Sequence, residues 1–128
     1  MMPAITTTRL PIIDILFTEP ATDDEYTNYL TELARLSGAV QPHVVVINVG
    51  GSTMPQSQRK QQGIWLKIHE DVIAANCRGV AFISASATQR FILSSVFLFS
   101  SMPTDYVVFK GQAEADAWAR TRLAVSVV

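Results

Sequence analysis

Apolar residues along this chain occur in short runs rich in β-branched residues and in longer runs with helical spacing. The short runs predict strands, and they cover residues 10–17, 43–49, 80–84 and 106–109. The second run, HVVVINV, is apolar on both faces, as expected of a central parallel strand. A helix is predicted after each strand.

Start and stop signals set the predicted helix bounds. Thr22 with Glu25 forms a capping box at the first helix, which Gly38 is expected to end. The second helix is predicted from Pro55 to about Cys77, with Gly79 as its stop, and Pro103 ends the third. The residues expected to face the core are Tyr26, Leu30, Leu33 and Ser37 in the first helix, Ile64, Trp65, Ile68, Val72 and Ile73 in the second, and Ala113, Ala117 and Trp118 in the last.

The resulting order is four successive β-α units. Alternating strands and helices predict an α/β fold with a four-stranded, mostly parallel sheet and right-handed crossovers. No repeat or low-complexity segment divides the 128 residues, so we expect a single domain over residues 1–128.

The second half of the chain resembles the SpoIIAA-like group, which contains the STAS domains of anti-sigma-factor antagonists and their STAS-like bacterial relatives. The resemblance spans roughly residues 40 to 120 and is carried by residues 76–83 (NCRGVAFI), Arg90, Val108-Phe109, Glu114-Ala115 and Trp118. It implies a β/α superhelical domain that binds proteins or small ligands.

Phosphorylated members of that family carry an Asp-Ser-Ser/Ala-Gly stretch where the helix after the central strand begins. Residues 50–58 (GGSTMPQSQ) occupy that place here, and they contain neither the aspartate nor the Ser-Gly pair. Ser52, Thr53 and Ser57 supply hydroxyl groups, but no motif selects one of them. No functional residue of the family is therefore assigned to this chain.

Composition excludes several function classes. Ten basic and eleven acidic residues give a net charge of −1 without a basic block, which disfavours nucleic acid as a partner. No apolar run reaches the roughly 20 residues of a membrane span. Cys77 is the single cysteine and no signal peptide is evident, so we expect a reducing, cytoplasmic location.

Catalytic and metal-binding signatures are missing from the sequence. Cys77 lies near a predicted helix end, where His69 cannot easily reach it, and His43 and His69 have no suitably spaced third ligand. Neither serine-containing turn matches the nucleophile elbow Gly-x-Ser-x-Gly. We therefore predict a protein without enzymatic activity, metal or cofactor.

Small polar residues follow the predicted strands at the edge where open parallel sheets bind ligands. A small anion or lipid-like ligand bound there would meet backbone N–H groups, hydroxyls and a guanidinium. The candidate ligand-binding residues are Gly51, Ser52, Thr53, Ser84, Ser86 and Arg90. The alternative interpretation is that these residues only form turns and helix caps.

The third predicted helix has no charged residue from Phe91 to Met102, although a solvent-facing helix normally carries charge. Either another part of the chain covers it, or a subunit does. We expect a homodimer interface, with a further protein partner as an option, and its candidate residues are Phe91, Leu98, Phe99 and Met102. The sequence thus predicts a STAS-like binding or regulatory domain that self-associates, with a small-ligand sensor or carrier as the alternative.

Overall fold

The computed structural model describes residues 3–18, 20–50, 55–91 and 102–125. Its strands are β1 (Ala4–Arg9), β2 (Ile12–Leu16), β3 (His43–Asn48), β4 (Cys77–Ile83) and β5 (Tyr106–Phe109). Its helices are α1 (Asp23–Ala39), α2 (Gln56–Ile68), α3 (Glu70–Asn76), α4 (described over residues 87–91) and α5 (Gln112–Val125). The predicted α/β class is confirmed.

The sheet contains five strands in the order β1-β2-β3-β4-β5. The four predicted strands correspond to β2–β5, which are mutually parallel. The additional strand, β1, pairs with β2 in the antiparallel sense and forms one edge. It was missed because residues 4–8 (AITTT) are mostly exposed and lack an apolar run. Leu10 and Pro11, predicted as strand, form the turn between β1 and β2.

Side chains of the central strands alternate between two cores, one on each face of the sheet. The face covered by α1, α2 and α3 buries Ile13, Ile15, Val45, Ile47 and Phe82 against residues such as Tyr29, Leu33 and Leu66. The opposite face buries Val44, Val46, Ala81 and Ile83 against Ala115 and Ala119 of α5. Burial on both faces explains why β3 is apolar at almost every position.

Helix α1 begins as the sequence predicts. The Thr22 Oγ1 accepts the Glu25 N–H (3.1 Å), and the Glu25 carboxylate accepts the Thr22 N–H (2.9 Å), which completes the capping box. The helix continues one residue past Gly38 to Ala39. Its predicted core-facing residues, Tyr26, Leu30, Leu33 and Ser37, are all buried.

The second predicted helix is divided at His69 into α2 and α3, and β4 begins at Cys77, three residues earlier than expected. Gly79 lies inside β4 and does not stop a helix. A Cβ atom at Gly79 would lie 2.5 Å from Cη2 of Trp118, so this glycine makes room for the indole. The strand therefore runs through Gly79, on which the Trp118 indole packs.

Two predicted core faces are wrong in part. In the second predicted helix, Ile73 is buried but Ile64, Ile68 and Val72 are exposed. In α5, Ala113 and Ala117 are exposed, and Ala115 and Ala119 are buried instead. Helical spacing alone did not distinguish the neighbouring faces of these weakly amphipathic helices.

Candidate functional site

The carboxyl ends of β3, β4 and β5 lie side by side, as the parallel order requires. Backbone hydrogen bonds continue past the strands, from the Val49 N–H to the Ile83 carbonyl (3.1 Å) and from the Ser84 N–H to the Phe109 carbonyl (2.9 Å). These bonds fix the turns after β3 and β4 at one edge of the sheet. We call this edge the carboxyl edge.

The turn after β3 depends on a glycine. Gly50 has a φ of 56°, in the left-handed region, and a Cβ atom there would meet the Phe17 carbonyl oxygen at 3.0 Å. Its N–H donates to Asn48 Oδ1 (2.9 Å). The predicted ligand-binding residues Gly51, Ser52 and Thr53 follow directly and lie outside the described residues.

The turn after β4 brings Ser84, Ser86 and Arg90 together, as the sequence predicts. The Ser84 hydroxyl is buried and donates to Gln89 Oε1, and its oxygen accepts the Ser86 N–H (3.3 Å). The Ser86 hydroxyl caps α4 by accepting the Gln89 N–H (3.2 Å), and Arg90 donates to the Ser84 carbonyl (2.9 Å). The predicted ligand donors thus bond to each other and to Gln89, which the sequence pairs with Ser86 in a capping-box pattern but does not indicate as a ligand-binding residue.

The candidate interface segment is described at its two ends. Phe91 is 73% exposed, although phenylalanine is among the residues most often buried. Met102 is half-buried and packs against the core on the α1–α3 face. The other two candidate residues, Leu98 and Phe99, lie outside the described residues.

Two titratable side chains at the starts of β3 and β4 are buried. His43 and Cys77 are register partners. Burial raises the pKa of the Cys77 thiol to about 11, and this thiol donates to the Gly79 carbonyl (3.3 Å). A thiol with that pKa stays protonated at neutral pH and is a poor nucleophile. Among the described residues, no three His, Cys, Asp or Glu side chains form a group that could hold a metal ion.

An open groove of about 500 Å³ lies beside the amino end of β5, away from the carboxyl edge. Arg122 crosses it, donating to the Arg78 carbonyl (2.8 Å) and pairing with Asp105 (2.7 Å), while its guanidinium lies 5.7 Å from the Trp118 ring. The lining residues are Met102, Thr104, Asp105, Tyr106, Val107, Trp118 and Arg122. This groove could not be predicted from the sequence, because its lining residues come from two separate segments, residues 102–107 and helix α5.

A second exposed apolar surface lies on α2 and α3. Ile64, Ile68 and Val72 are 54%, 70% and 40% exposed, and they share one side because a spacing of four residues is slightly more than one helical turn. We call these three residues the α2–α3 stripe. Large apolar side chains placed in a row on a surface are typical of sites that contact another molecule.

No protein-family model matches the chain, and neither a curated protein nor a solved structure is significantly similar to it. Within the described residues, no helix is both long enough and apolar enough to cross a membrane.

Proposed function

We propose that this chain is a non-enzymatic, STAS-like binding and regulatory domain that self-associates in the cytoplasm. The succession of parallel β-α units supports a fold of that kind. At the carboxyl edge the Ser84 hydroxyl donates to the amide oxygen of Gln89, which is not a general base, so this contact does not activate the serine as a nucleophile. A single buried cysteine is compatible with a reducing compartment.

The exposure of Phe91 is the observation that carries the self-association. This side chain is 73% exposed at the start of the uncharged segment 91–102. Full burial of such a side chain contributes about 1.5–3 kcal/mol, so a few of them suffice to hold two subunits together. A homodimer contact that includes Phe91 follows from the proposal.

Sedimentation equilibrium of the full chain and of a Phe91→Ser variant tests this proposal. The unmodified chain is expected to form dimers at tens of micromolar concentration, and the variant is expected to shift toward the monomer. Ala117→Ser, at an exposed position of α5, serves as the control. A strictly monomeric chain at these concentrations contradicts self-association.

Binding of a small anion at the carboxyl edge is the second candidate function. It is favoured by Arg90, whose guanidinium is fixed beside the turn after β4 by its bond to the Ser84 carbonyl. Calorimetric titration with inorganic phosphate tests it, with Arg90→Gln as the comparison. Saturable binding that the variant loses supports this function, and the absence of heat in the unmodified protein contradicts it.

A further inference from the structure

Helix α2 docks on the protein through polar as well as apolar side chains. Hydrogen bonds join it to α1 and to the segment before α1. Ser57 Oγ donates to Asp23 Oδ1 (3.1 Å), and Gln58 Nε2 donates to the Ala21 carbonyl (2.6 Å). Gln62 Oε1 accepts from Tyr26 Oη (2.5 Å), and Trp65 Nε1 donates to the Leu30 carbonyl (3.1 Å). Gln58 is only 4% exposed. Ile64 and Ile68 of the α2–α3 stripe therefore face outward, whereas the inward side of α2 combines the buried Gln58 with Trp65 and Leu66.

The stripe continues across the division between α2 and α3. The His69 N–H donates to the Trp65 carbonyl and the Ile73 N–H to the His69 carbonyl, each at 3.0 Å. The i to i−4 pattern is thus kept on both sides of His69. From Ile64 to Val72 the stripe extends about 12 Å along the helix.

Charges are separated by sign along α2 and α3, and Lys60 and Asp71 lie near the two ends of the stripe. Helix α2 carries the exposed cations Arg59, Lys60 and Lys67 and no acidic residue, whereas α3 carries the exposed anions Glu70 and Asp71 and no basic residue. An antiparallel second copy would bring each basic end beside an acidic end. Such complementarity favours a specific, two-fold contact.

The two isoleucines of the stripe and the Lys60–Asp71 pair agree on one position of the two-fold axis, which sets Val72 beside Lys60 of the partner subunit. An axis at position 66 sets Ile64 against Ile68 of the partner subunit, since 66 is midway between 64 and 68. The same axis brings Lys60 within about 1.5 Å, along the helix direction, of Asp71 of the partner subunit. We infer that a second copy of this chain binds the α2–α3 stripe in this antiparallel register.

This inference rests on the proposed self-association but assigns it to the α2–α3 stripe instead of the Phe91 segment. Charge exchange provides the sharpest test of the register. Lys60→Glu and Asp71→Lys should each weaken the dimer about tenfold, because each places like charges together at two symmetric positions. The double variant should return to within about threefold of the unmodified chain, because the pairs are restored with their signs exchanged. A double variant as weak as the single ones overturns the register.

Substitutions in the stripe distinguish this inference from the proposed function. Ile68→Glu should give monomers, whereas Ala117→Glu, at an exposed position on the opposite side of the sheet, should not. If Phe91→Ser separates the subunits and Ile68→Glu does not, self-association stands and this surface is wrong. If the unmodified chain is a monomer, both proposals fail. If Ile68→Glu lowers folding stability without changing the mass, the chain itself covers the stripe, and the inference is overturned.

Lys67 gives an independent arm of the same experiment. It is exposed and lies one residue from the inferred axis, so it would approach Lys67 of the partner subunit. Lys67→Gln is therefore expected to tighten the dimer by about two- to fivefold. Unchanged or weaker association in this variant contradicts the position of the axis.

Discussion

Glycine residues in this chain show how strongly the effect of one position depends on its surroundings. Gly79 lies under the Trp118 ring, with no room for a Cβ atom, whereas Gly63 of α2 has open space around its Cα. The sequence analysis treated Gly79 as a helix stop because no local pattern reveals the tryptophan, which lies 39 positions further along the chain. Gly79 therefore serves the packing of Trp118 inside β4, a long-range contact that helix-stop signals in the sequence do not reveal.

Alanine substitutions at these two glycines should have opposite effects. Gly79→Ala should lower the free energy of unfolding by about 1–3 kcal/mol, because the Trp118 ring must move. Gly63→Ala should raise it by about 0.4–1 kcal/mol, because alanine restricts the unfolded chain and favours the helix. Urea unfolding measures both changes. Equal effects of the two substitutions would contradict the packing of Trp118 on β4.

His43 predicts a pH-dependent stability. It is 1% exposed, its Nδ1 bonds to the Val40 carbonyl (2.8 Å), and its buried Nε2 has no hydrogen-bond partner. Burial lowers its pKa below the ordinary value of 6.5, and the nearby charge of Arg78 acts in the same direction. The unfolded state therefore binds the proton more tightly than the folded state. The contribution of the neutral His43 to folding stability is fully present above pH 6.5 and is lost as the pH falls through 6.5 toward the folded-state pKa.

Urea unfolding of the unmodified chain and His43→Gln at pH 7.5 and 5.5 measures this contribution. We expect the unmodified chain to lose more stability than the variant between these two pH values, by at most about 1.4 kcal/mol, the limit for a histidine whose unfolded-state pKa is 6.5. For each protein the free energy of unfolding at pH 5.5 is compared with its own value at pH 7.5, so a loss of stability that the substitution causes at both pH values cancels. An identical pH dependence in both proteins would show that His43 is not the responsible group.

Among the helices and strands, those with a clear hydrophobic pattern or capping signal were predicted correctly. Strand β3 was predicted from its valines and isoleucine, and the start of α1 was predicted from the Thr22–Glu25 capping box. Strand β1 could not be predicted, because an exposed edge strand of threonines has no distinctive periodicity. The outward side of α2 was assigned to the core, because its docking combines the apolar Trp65 and Leu66 with hydrogen bonds of Gln58 and other polar side chains, which hydrophobic patterns do not report.

Gln58 is the test of that polar docking. Gln58→Ala removes the bond to the Ala21 carbonyl and should lower the free energy of unfolding by about 1–2 kcal/mol. Gln56→Ala, at an exposed position in the same helix, should change it by less than about 0.5 kcal/mol. Hydrogen exchange should show faster exchange of α2 amides in Gln58→Ala, with those of α5 unchanged. If the substitution changed amide exchange equally in α2 and α5, a docking role for this side chain would be contradicted.

At the scale of the whole molecule, the sequence predicted the fold class and the shared edge of Ser84, Ser86 and Arg90. It did not predict the additional β1 strand, the groove beside Trp118 or the α2–α3 stripe. Each of these depends on contacts between distant segments or on which side of a helix remains uncovered. Two apolar features, Phe91 and the stripe, remain exposed in the single chain, and this exposure is the basis of the proposed self-association.

Sedimentation equilibrium of the unmodified chain across the micromolar range tests self-association most directly. The chain has a mass of 14.1 kDa, and the account predicts that the measured mass rises with concentration toward twice that value. The rise should persist in Ala117→Glu and disappear in Ile68→Glu. A mass that stays at 14.1 kDa at every concentration would contradict the account.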